Sequence, residues 1–173
     1  MGKGYALRSL FKEAIKFDPD IIIAIDADGQ HDPNEISKLI EPIMLNKSDM
    51  VIGSRFLKDS IMDISLLRNI GLHIINFLYN FLFNFQVKDT QSGFRAFSKK
   101  SFIVITESNE NCYGIESEQL VIASKRGIRV TEVPVNIRYK NLHNTSKKNF
   151  VIHGFQIFLI LLRLYIKDIS FFQ

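Results

Sequence analysis

The 173-residue chain lacks the features that mark secreted and membrane-spanning proteins. Its single cysteine, Cys112, rules out a disulfide within the chain and fits a reducing compartment. The first residues are polar where a signal peptide would need an apolar segment. No stretch reaches the roughly 20 apolar residues that a membrane span requires. The length and the absence of repeats or low-complexity linkers therefore predict a single globular domain.

The composition gives only a weak indication of a partner. Apolar residues make up 46% of the chain, which is ordinary for a globular protein. The net charge is +4 and the isoelectric point is about 9.2. This mild excess of positive charge suits an anionic partner such as a phosphate, a nucleotide or a membrane surface.

The most informative stretch is an apolar run that ends in two carboxylates. The run Ile21–Ile25 predicts a strand buried on both faces, as in the parallel sheets of α/β proteins. Ligands bind beyond the carboxyl ends of such strands, where Asp26 and Asp28 follow. Two carboxylates so close together repel each other unless a cation or protons relieve them. A divalent cation completed by water and substrate phosphate would do so.

A glycine-flanked lysine precedes the first predicted helix. Gly2, Lys3 and Gly4 stand directly before residues 6–16, whose apolar positions recur at helical spacing. Backbone N–H groups at such a helix start could hold a phosphate. A flexible start of the chain explains the same glycines equally well.

A second helix and strand follow the acidic stretch. Asp32 is a predicted N-cap with Pro33 at the first helical position, and Glu35 suggests a capping box. The strand Met50–Ile52 then leads to Arg55. Strand, helix and strand with short links predict parallel strands joined by a right-handed crossover. Arg55 would then lie at the same sheet edge as the two carboxylates. There it would pair with them or with a substrate phosphate. A plain surface arginine is the alternative interpretation.

Two helices are unusually apolar. Residues 66–85 carry one narrow polar stripe, formed mainly by asparagines, on an otherwise apolar surface. Such a helix is either deeply packed or lies in a membrane interface. Residues 151–166 form a second apolar helix that suits an interfacial position. We therefore divide the chain into a main part, 1–148, and an amphipathic C-terminal helix, 149–173, that packs on it or on the membrane.

The remaining polar clusters each allow two interpretations. The loop 87–97 contains Asp, Thr, Gln, Ser and Gly, which are either turn formers or site residues. Glu116 and Glu118 are either acid/base groups or favourable charges in the first turn of a helix that Gly127 ends. Residues 128–135 predict a strand, with Pro134 suggesting a sheet edge or a bend. Residues 138–148 form a basic stretch suited to a phosphate.

The order of these motifs resembles the family-2 glycosyltransferases of the polyprenyl-phosphate type, the dolichyl-phosphate mannose synthase group. The resemblance covers nearly the whole chain and rests on Gly2-Lys3-Gly4, Asp26-Ala27-Asp28-Gly29-Gln30 with Pro33, Gly53-Ser54-Arg55, Arg68, Asp89-Thr90-Gln91-Ser92-Gly93-Phe94-Arg95, Gly114-Ile115-Glu116-Ser117-Glu118, Arg138-Tyr139 and Ser146-Lys147. Each motif alone is unspecific, and their series carries the resemblance. Leu72 departs from it, because some members have a serine there.

The resemblance implies an α/β fold of the GT-A type, with a Rossmann-like, mixed and mostly parallel sheet flanked by helices. It also implies that residues 1–148 form a partial glycosyltransferase catalytic domain. It also implies a hexosyltransferase that moves a sugar, with inversion, from a nucleotide-sugar such as GDP-mannose or UDP-glucose to a polyprenyl phosphate. Mg²⁺ or Mn²⁺ would be the cofactor. The protein would lie peripherally on the cytoplasmic face of the membrane and would bind no nucleic acid.

The resemblance also assigns roles to individual residues. Asp26, Asp28 and Gln30 match the metal-binding motif. Gly2 and Lys3, together with Asp26 and Asp28, match donor-binding positions. Asp89 and Arg55 match the catalytic positions. The primary role expected for Asp89 is orienting or electrostatic, and that of a general base is secondary, because the acceptor phosphate is already ionised at neutral pH. The residues that match acceptor-phosphate positions are Arg55, Arg68, Arg138, Ser146 and Lys147.

Two rival hypotheses remain open at the level of the sequence. The family has a further segment before the position of Met1, which supplies the first strands and most of the nucleotide-base pocket. We therefore expect an N-terminally incomplete chain that binds donor poorly alone, and a non-catalytic remnant or a subunit with a missing partner half is one alternative. A haloacid-dehalogenase-type phosphatase is the other, because that family also ends a strand in Asp-x-Asp-Gly. It expects threonine where this chain has Gln30.

Overall fold

The computed structural model describes residues 2–60, 66–83, 85–112, 114–137 and 150–171, with the side chains of 68, 150–153 and 167–171 excepted. The elements in chain order are α1 (Lys3–Ile15), β1 (Ile21–Ala24), a short 3₁₀ helix (Pro33–Glu35), α2 (Ile36–Met44), β2 (Met50–Ser54), α3 (Leu66–Phe83), β3 (Arg95–Ser98), a second 3₁₀ helix (Lys99–Ser101), α4 (Phe102–Thr106), α5 (Ile115–Lys125), β4 (Val130–Pro134) and α6 (Phe150–Phe171).

The four described strands form one mixed sheet in the order β1-β3-β2-β4. β3 pairs antiparallel with both β1 and β2, and β4 pairs parallel with β2. Three strands thus run in one direction, which confirms the predicted mixed α/β sheet. β1 and β2 are parallel as expected, but they are not neighbours because β3 lies between them. Their carboxyl ends still meet at the same edge of the sheet.

Alternating residues of the central strands fill two separate cores. On one face Met50, Ile52 and Phe97 pack with residues of α1, α4 and α5. On the other face Val51 and Ala96 pack with α2. A sheet covered by helices on both faces is the usual solution for burying the two sides of apolar strands.

The prediction that β1 is buried on both faces is wrong. Its four residues are only partly buried, in contrast to the fully buried β2. β1 has a single described neighbour, β3, so it forms an edge of the described sheet. Pro134 suggested an edge or a bend, and the structure supports the edge, because β4 lies at the other edge of the described sheet.

The short 3₁₀ helix before α2 follows one prediction and departs from another. The Asp32 side chain accepts a hydrogen bond from the backbone N–H of Asn34 at 2.9 Å, with Pro33 at the first position, so the N-cap is confirmed. Glu35 does not close a capping box. Its carboxylate accepts from the backbone N–H and side-chain amide of Asn136, at 2.9 and 3.0 Å.

α3 turns part of its polar stripe inward and an apolar face outward. Asn76 is buried and Asn80 half-buried, both bonded to the loop that follows the helix. The exposed face is apolar apart from His73, and it comprises Leu66, Leu67, Ile70, Ile74, Phe77 and Phe81. α6 packs against α3 and adds exposed Phe155, Leu159 and Ile166. Within the described ranges, no helix is both long and apolar enough to cross a bilayer.

Candidate functional site

The candidate site lies where β1 and β2 end and the loop 87–94 leads into β3. Antiparallel pairing places Ala24 opposite Arg95 and Ile52 opposite the same residue, so the three segments converge at one edge. Asp26 and Asp28 follow β1, Arg55 follows β2, and Asp89 lies in the loop. The sequence prediction that Arg55 shares an edge with the two carboxylates is confirmed by this topology.

A lysine from α1 pairs with the first carboxylate. The Lys3 ammonium lies 2.8 Å from each of the two oxygens of Asp26 and 2.7 Å from Glu116. Burial lowers the pKa of Lys3, but the two carboxylates more than offset this, so the pKa is raised and the ammonium stays charged. The repulsion that we expected a metal to relieve is therefore already reduced at Asp26 by a side chain.

Gly93 makes this ion pair possible. A Cβ atom at Gly93 would lie 2.6 Å from an Asp26 oxygen and 2.7 Å from the Lys3 nitrogen. Both distances are too short for real contacts, so any side chain here would displace the charges. The glycine of the polar loop is therefore required by close approach, and it is more than a turn former.

Asp28 directly precedes the residues that line a cleft of about 310 Å³, which are Gly29, Gln30, His31, Asp32, Pro33, Asn34 and Asn136. One Asp28 oxygen accepts from the backbone N–H of Gln30 at 3.0 Å, and Gly29 has a positive φ of 75° that completes this turn. Across the described residues, no three His, Cys, Asp or Glu side chains cluster as metal ligands. One or two carboxylates suffice for Mg²⁺ where substrate phosphates complete the shell, so the donor set fits that case.

Arg55 and Asp89 form a buried ion pair. Asp89 has no exposed surface, and the Arg55 side chain is 8% exposed. The Arg55 Nε and Nη2 atoms donate to the two Asp89 oxygens at 2.6 and 2.5 Å, and the Arg55 backbone N–H adds a bond of 2.9 Å. A carboxylate that accepts a bidentate guanidinium pair in the interior orients its partner and is poorly placed to accept a proton from a substrate.

Arg95 ties the loop to α5. Its guanidinium is buried and donates to the carbonyls of Thr90, Ser92 and Glu116 and to the Gln119 side chain, at 2.8–2.9 Å. Burial lowers the pKa of Arg95, and the charges of Glu116, Asp89 and Asp26 partly offset this. Arg95 was part of the motif that carried the resemblance, but its role as the anchor of the loop was not predicted.

His31 is a further residue that the sequence analysis did not assign. Its ring packs 4.9 Å from that of Phe94, and its buried Nδ1 has no described hydrogen-bond partner. Burial lowers the pKa of His31; the Arg55 charge adds to this, and three carboxylates oppose it: Asp26, Asp28 and Asp89. The charges of both halves of the site therefore act on His31. Its position directly after Gln30 was the one signal available.

The glycines at the start of α1 serve packing in this structure. Cβ atoms at Gly2 and Gly4 would collide with the carbonyl oxygens of Asn111 and Glu110, at 2.5 and 2.2 Å. The Tyr5 backbone N–H also donates to the Asn111 carbonyl. These contacts account for the glycines without a ligand, so the donor-binding assignment of Gly2 and Lys3 stays a prediction.

The acidic pair of α5 is likewise held by protein contacts. Glu116 pairs with Lys3, and Glu118 accepts from the backbone N–H groups of Asn109 and Glu110 at 2.9 and 2.7 Å. Both carboxylates therefore fix neighbouring segments at the start of the helix. The acid/base interpretation gains no support from this geometry.

The other predicted phosphate-binding side chains lie outside the described part of the structure. Arg68 lies in α3, but its side chain is not among those described. Arg138, Ser146 and Lys147 lie outside the described residues. Their assignment to an acceptor phosphate stays a prediction.

Comparison with known proteins adds independent findings. The family model described as glycosyl transferase family 2 matches residues 1–106. An uncharacterised protein of Methanocaldococcus jannaschii is 36% identical over 90% of this chain and 65% of its own length. A UDP-N-acetylglucosamine–dolichyl-phosphate N-acetylglucosaminyltransferase of Methanococcus voltae is 36% identical over 94% of this chain and 65% of its own length. A polyprenol monophosphomannose synthase of Mycolicibacterium smegmatis is 26% identical over 82% of this chain and 54% of its own length. The chain spans less than two thirds of the length of each of these relatives.

Proposed function

The chain belongs to glycosyl transferase family 2, as the order of its motifs predicted, and from this we propose that it transfers a sugar from a nucleotide-sugar donor to a polyprenyl phosphate. One observation carries the proposal. The Asp26–Asp28 motif and the Arg55–Asp89 pair lie at one edge of the sheet, and α3, whose outward face is apolar, is bonded to the loop that carries Asp89. Such an edge offers one place for a charged diphosphate and one for a lipid chain.

Asp28 and Gln30, with Asp26 beside them, would hold a divalent cation against the donor diphosphate. Family members are commonly metal-dependent. A bound Mg²⁺ or Mn²⁺ would act as a Lewis acid that neutralises the leaving diphosphate. Lys3 keeps Asp26 oriented and partly neutralised, so Asp28 would carry the larger share of the binding.

Arg55 would present positive charge near the acceptor phosphate, with Asp89 fixing its orientation. The acceptor phosphate is ionised at neutral pH, so the transfer needs positioning more than a base. This agrees with the complete burial of Asp89 and its bidentate pairing. Attack from the side opposite the diphosphate would invert the anomeric centre.

We further propose that the apolar face of α3 and α6 lies on the cytoplasmic surface of a membrane. Phe77, 68% exposed, would enter the lipid interface. Leu10 on α1 is a matched control, because it is apolar and 67% exposed. Flotation with phosphatidylglycerol vesicles should fall several-fold for Phe77→Ser and stay unchanged for Leu10→Ser. Equal losses would place the contact elsewhere.

Family membership excludes the phosphatase alternative, and the geometry agrees. A nucleophilic Asp26 would need an open oxygen, but both of its oxygens contact Lys3. The proposal names the donor only as a nucleotide-sugar, because the relatives' names give N-acetylglucosamine for one and mannose for another.

The test is transfer of labelled sugar from nucleotide-sugar donors to polyprenyl phosphate in vesicles, with Mn²⁺ present. Asp28→Ala should abolish transfer, whereas Asp20→Ala, a change at a side chain that is 95% exposed, should leave it intact. Donor binding by the chain without transfer would support the non-catalytic alternative. Transfer that survives Asp28→Ala would refute the assigned site.

A further inference from the structure

The loop of residues 87–90 is held almost entirely by side chains. Its four residues carry four N–H and four C=O groups, and all but the Asp89 carbonyl bond to a side chain. The side chains that provide these bonds are Asn76, Asn80, Arg95 and Glu132. Backbone groups normally find their partners in secondary structure, so a loop fixed in this way depends on where those side chains stand.

Two of the four side chains come from α3. Asn80 both donates to the Val87 carbonyl, at 2.8 Å, and accepts from its N–H, at 3.1 Å. Asn76 is 5% exposed. It donates to the Lys88 carbonyl at 2.6 Å, and its Oδ1 accepts from the Thr90 N–H and hydroxyl at 3.0 and 2.7 Å.

These bonds flank the residue that orients Arg55. Asn76 holds the carbonyl before Asp89 and the N–H after it, while Glu132 holds the Asp89 N–H at 2.9 Å. The direction of the Asp89 side chain is thereby set from both sides. On the same turn of α3, Ile74 and Phe77 are exposed. One helical turn thus carries an apolar outer surface and the bonds that position the ion pair.

We propose that Asn76 is a positioning residue that couples the apolar face of α3 to the Asp89–Arg55 pair. When α3 lies on a lipid surface, its restrained position fixes Asn76, which orders the loop 87–90 and the pair. This proposal rests on the proposed function, which identifies the surface that α3 contacts as a lipid membrane. It extends the proposed function, because it makes lipid contact a condition for an ordered site.

Hydrogen exchange of the segment 86–94, followed by mass spectrometry with and without phosphatidylglycerol vesicles, tests the coupling. In the unaltered protein, vesicles should slow exchange of this segment about tenfold. Asn76→Ala should float with vesicles as before, but its exchange should no longer respond to them. A merely structural role would speed exchange by the same factor in both conditions and leave the response intact, which would overturn the proposal.

Asn69→Ala is the matched control, because Asn69 is on the same helix and makes no described bond to the loop. The Asn69→Ala variant should keep the vesicle response. Loss of the response in this variant would also overturn the proposal. If Asn76→Ala does not fold, Thr90→Val and Thr90→Ser replace it. The valine removes the hydroxyl that donates to Asn76 and should reduce the response, and the serine should restore it; equal responses from the two variants would contradict the proposal.

The two proposals fail separately. A vesicle response that depends on Asn76, without any sugar transfer, would leave the coupling standing and refute the transferase function. Sugar transfer with no vesicle response in the unaltered protein would refute the coupling and leave the function standing.

Discussion

Replacing Asp89 by asparagine should destabilise the fold substantially. The carboxylate is fully buried and accepts three hydrogen bonds from Arg55. Removing one partner of a buried pair costs about 3–5 kcal/mol. Asparagine keeps one acceptor oxygen, so we expect the lower end, about 3 kcal/mol. For a domain of this size, roughly 2–4 °C per kcal/mol gives a fall in Tm of about 6–12 °C.

Urea unfolding followed by circular dichroism measures this free energy directly. Asp20→Asn removes the same charge at a 95% exposed side chain and should stay within about 0.5 kcal/mol of the unaltered protein. The double variant Arg55→Met with Asp89→Leu should be less destabilised than the sum of the two single changes, because no lone charge is left buried. A cost below about 1 kcal/mol for Asp89→Asn, or strict additivity in the double variant, would refute a strong buried pair.

Three further outcomes follow from other contacts. Gly93→Ala should lower the Tm by several degrees, since its Cβ would meet the neighbouring ion pair at 2.6 Å, whereas Gly154→Ala, with open space around it, should not. The Arg129 guanidinium holds the pKa of Asp49 well below its usual range. The stabilisation of the fold by the Asp49 carboxylate is therefore full above about pH 5 and is lost as the pH falls. In urea titrations at several pH values, Asp49→Asn should reduce this loss of unfolding free energy at acid pH. Calorimetry should show Mn²⁺ binding at Asp28 only when pyrophosphate is present, and tight binding without it would contradict the two-carboxylate site.

Local patterns predicted the elements but not their long-range partners. The run Met50–Ile52 and the helix ending at Gly127 were found because apolar spacing and a positive φ are local properties. The insertion of β3 between β1 and β2 was not found, because parallel direction does not specify adjacency. The capping box predicted at Glu35 is absent. Its spacing from Asp32 suits such a box, but its carboxylate bonds to Lys38 and to Asn136, which lies 101 residues away.

The candidate site shows the same division. The sequence identified the Asp26–Asp28 motif and Arg55, because their residue types and their positions after strands are visible locally. It did not show that Lys3 would reach Asp26 from 23 residues away. Nor did it show which way the asparagine stripe of α3 would face, because periodicity alone does not say whether a polar stripe points to solvent or to a buried loop.

The charges of the site bear on how a metal would bind. Three cationic side chains are balanced by three carboxylates, so the net charge of these six groups is zero. The cations are those of Lys3, Arg55 and Arg95, and the carboxylates are those of Asp26, Asp89 and Glu116. Asp28 is the carboxylate beside them whose described bond comes only from a neutral backbone N–H. A divalent cation at Asp28 alone would leave positive charge uncompensated, and a diphosphate would restore the balance. A site with these charges would gain its metal together with the donor, which is consistent with the proposed ligand set of two carboxylates and an amide.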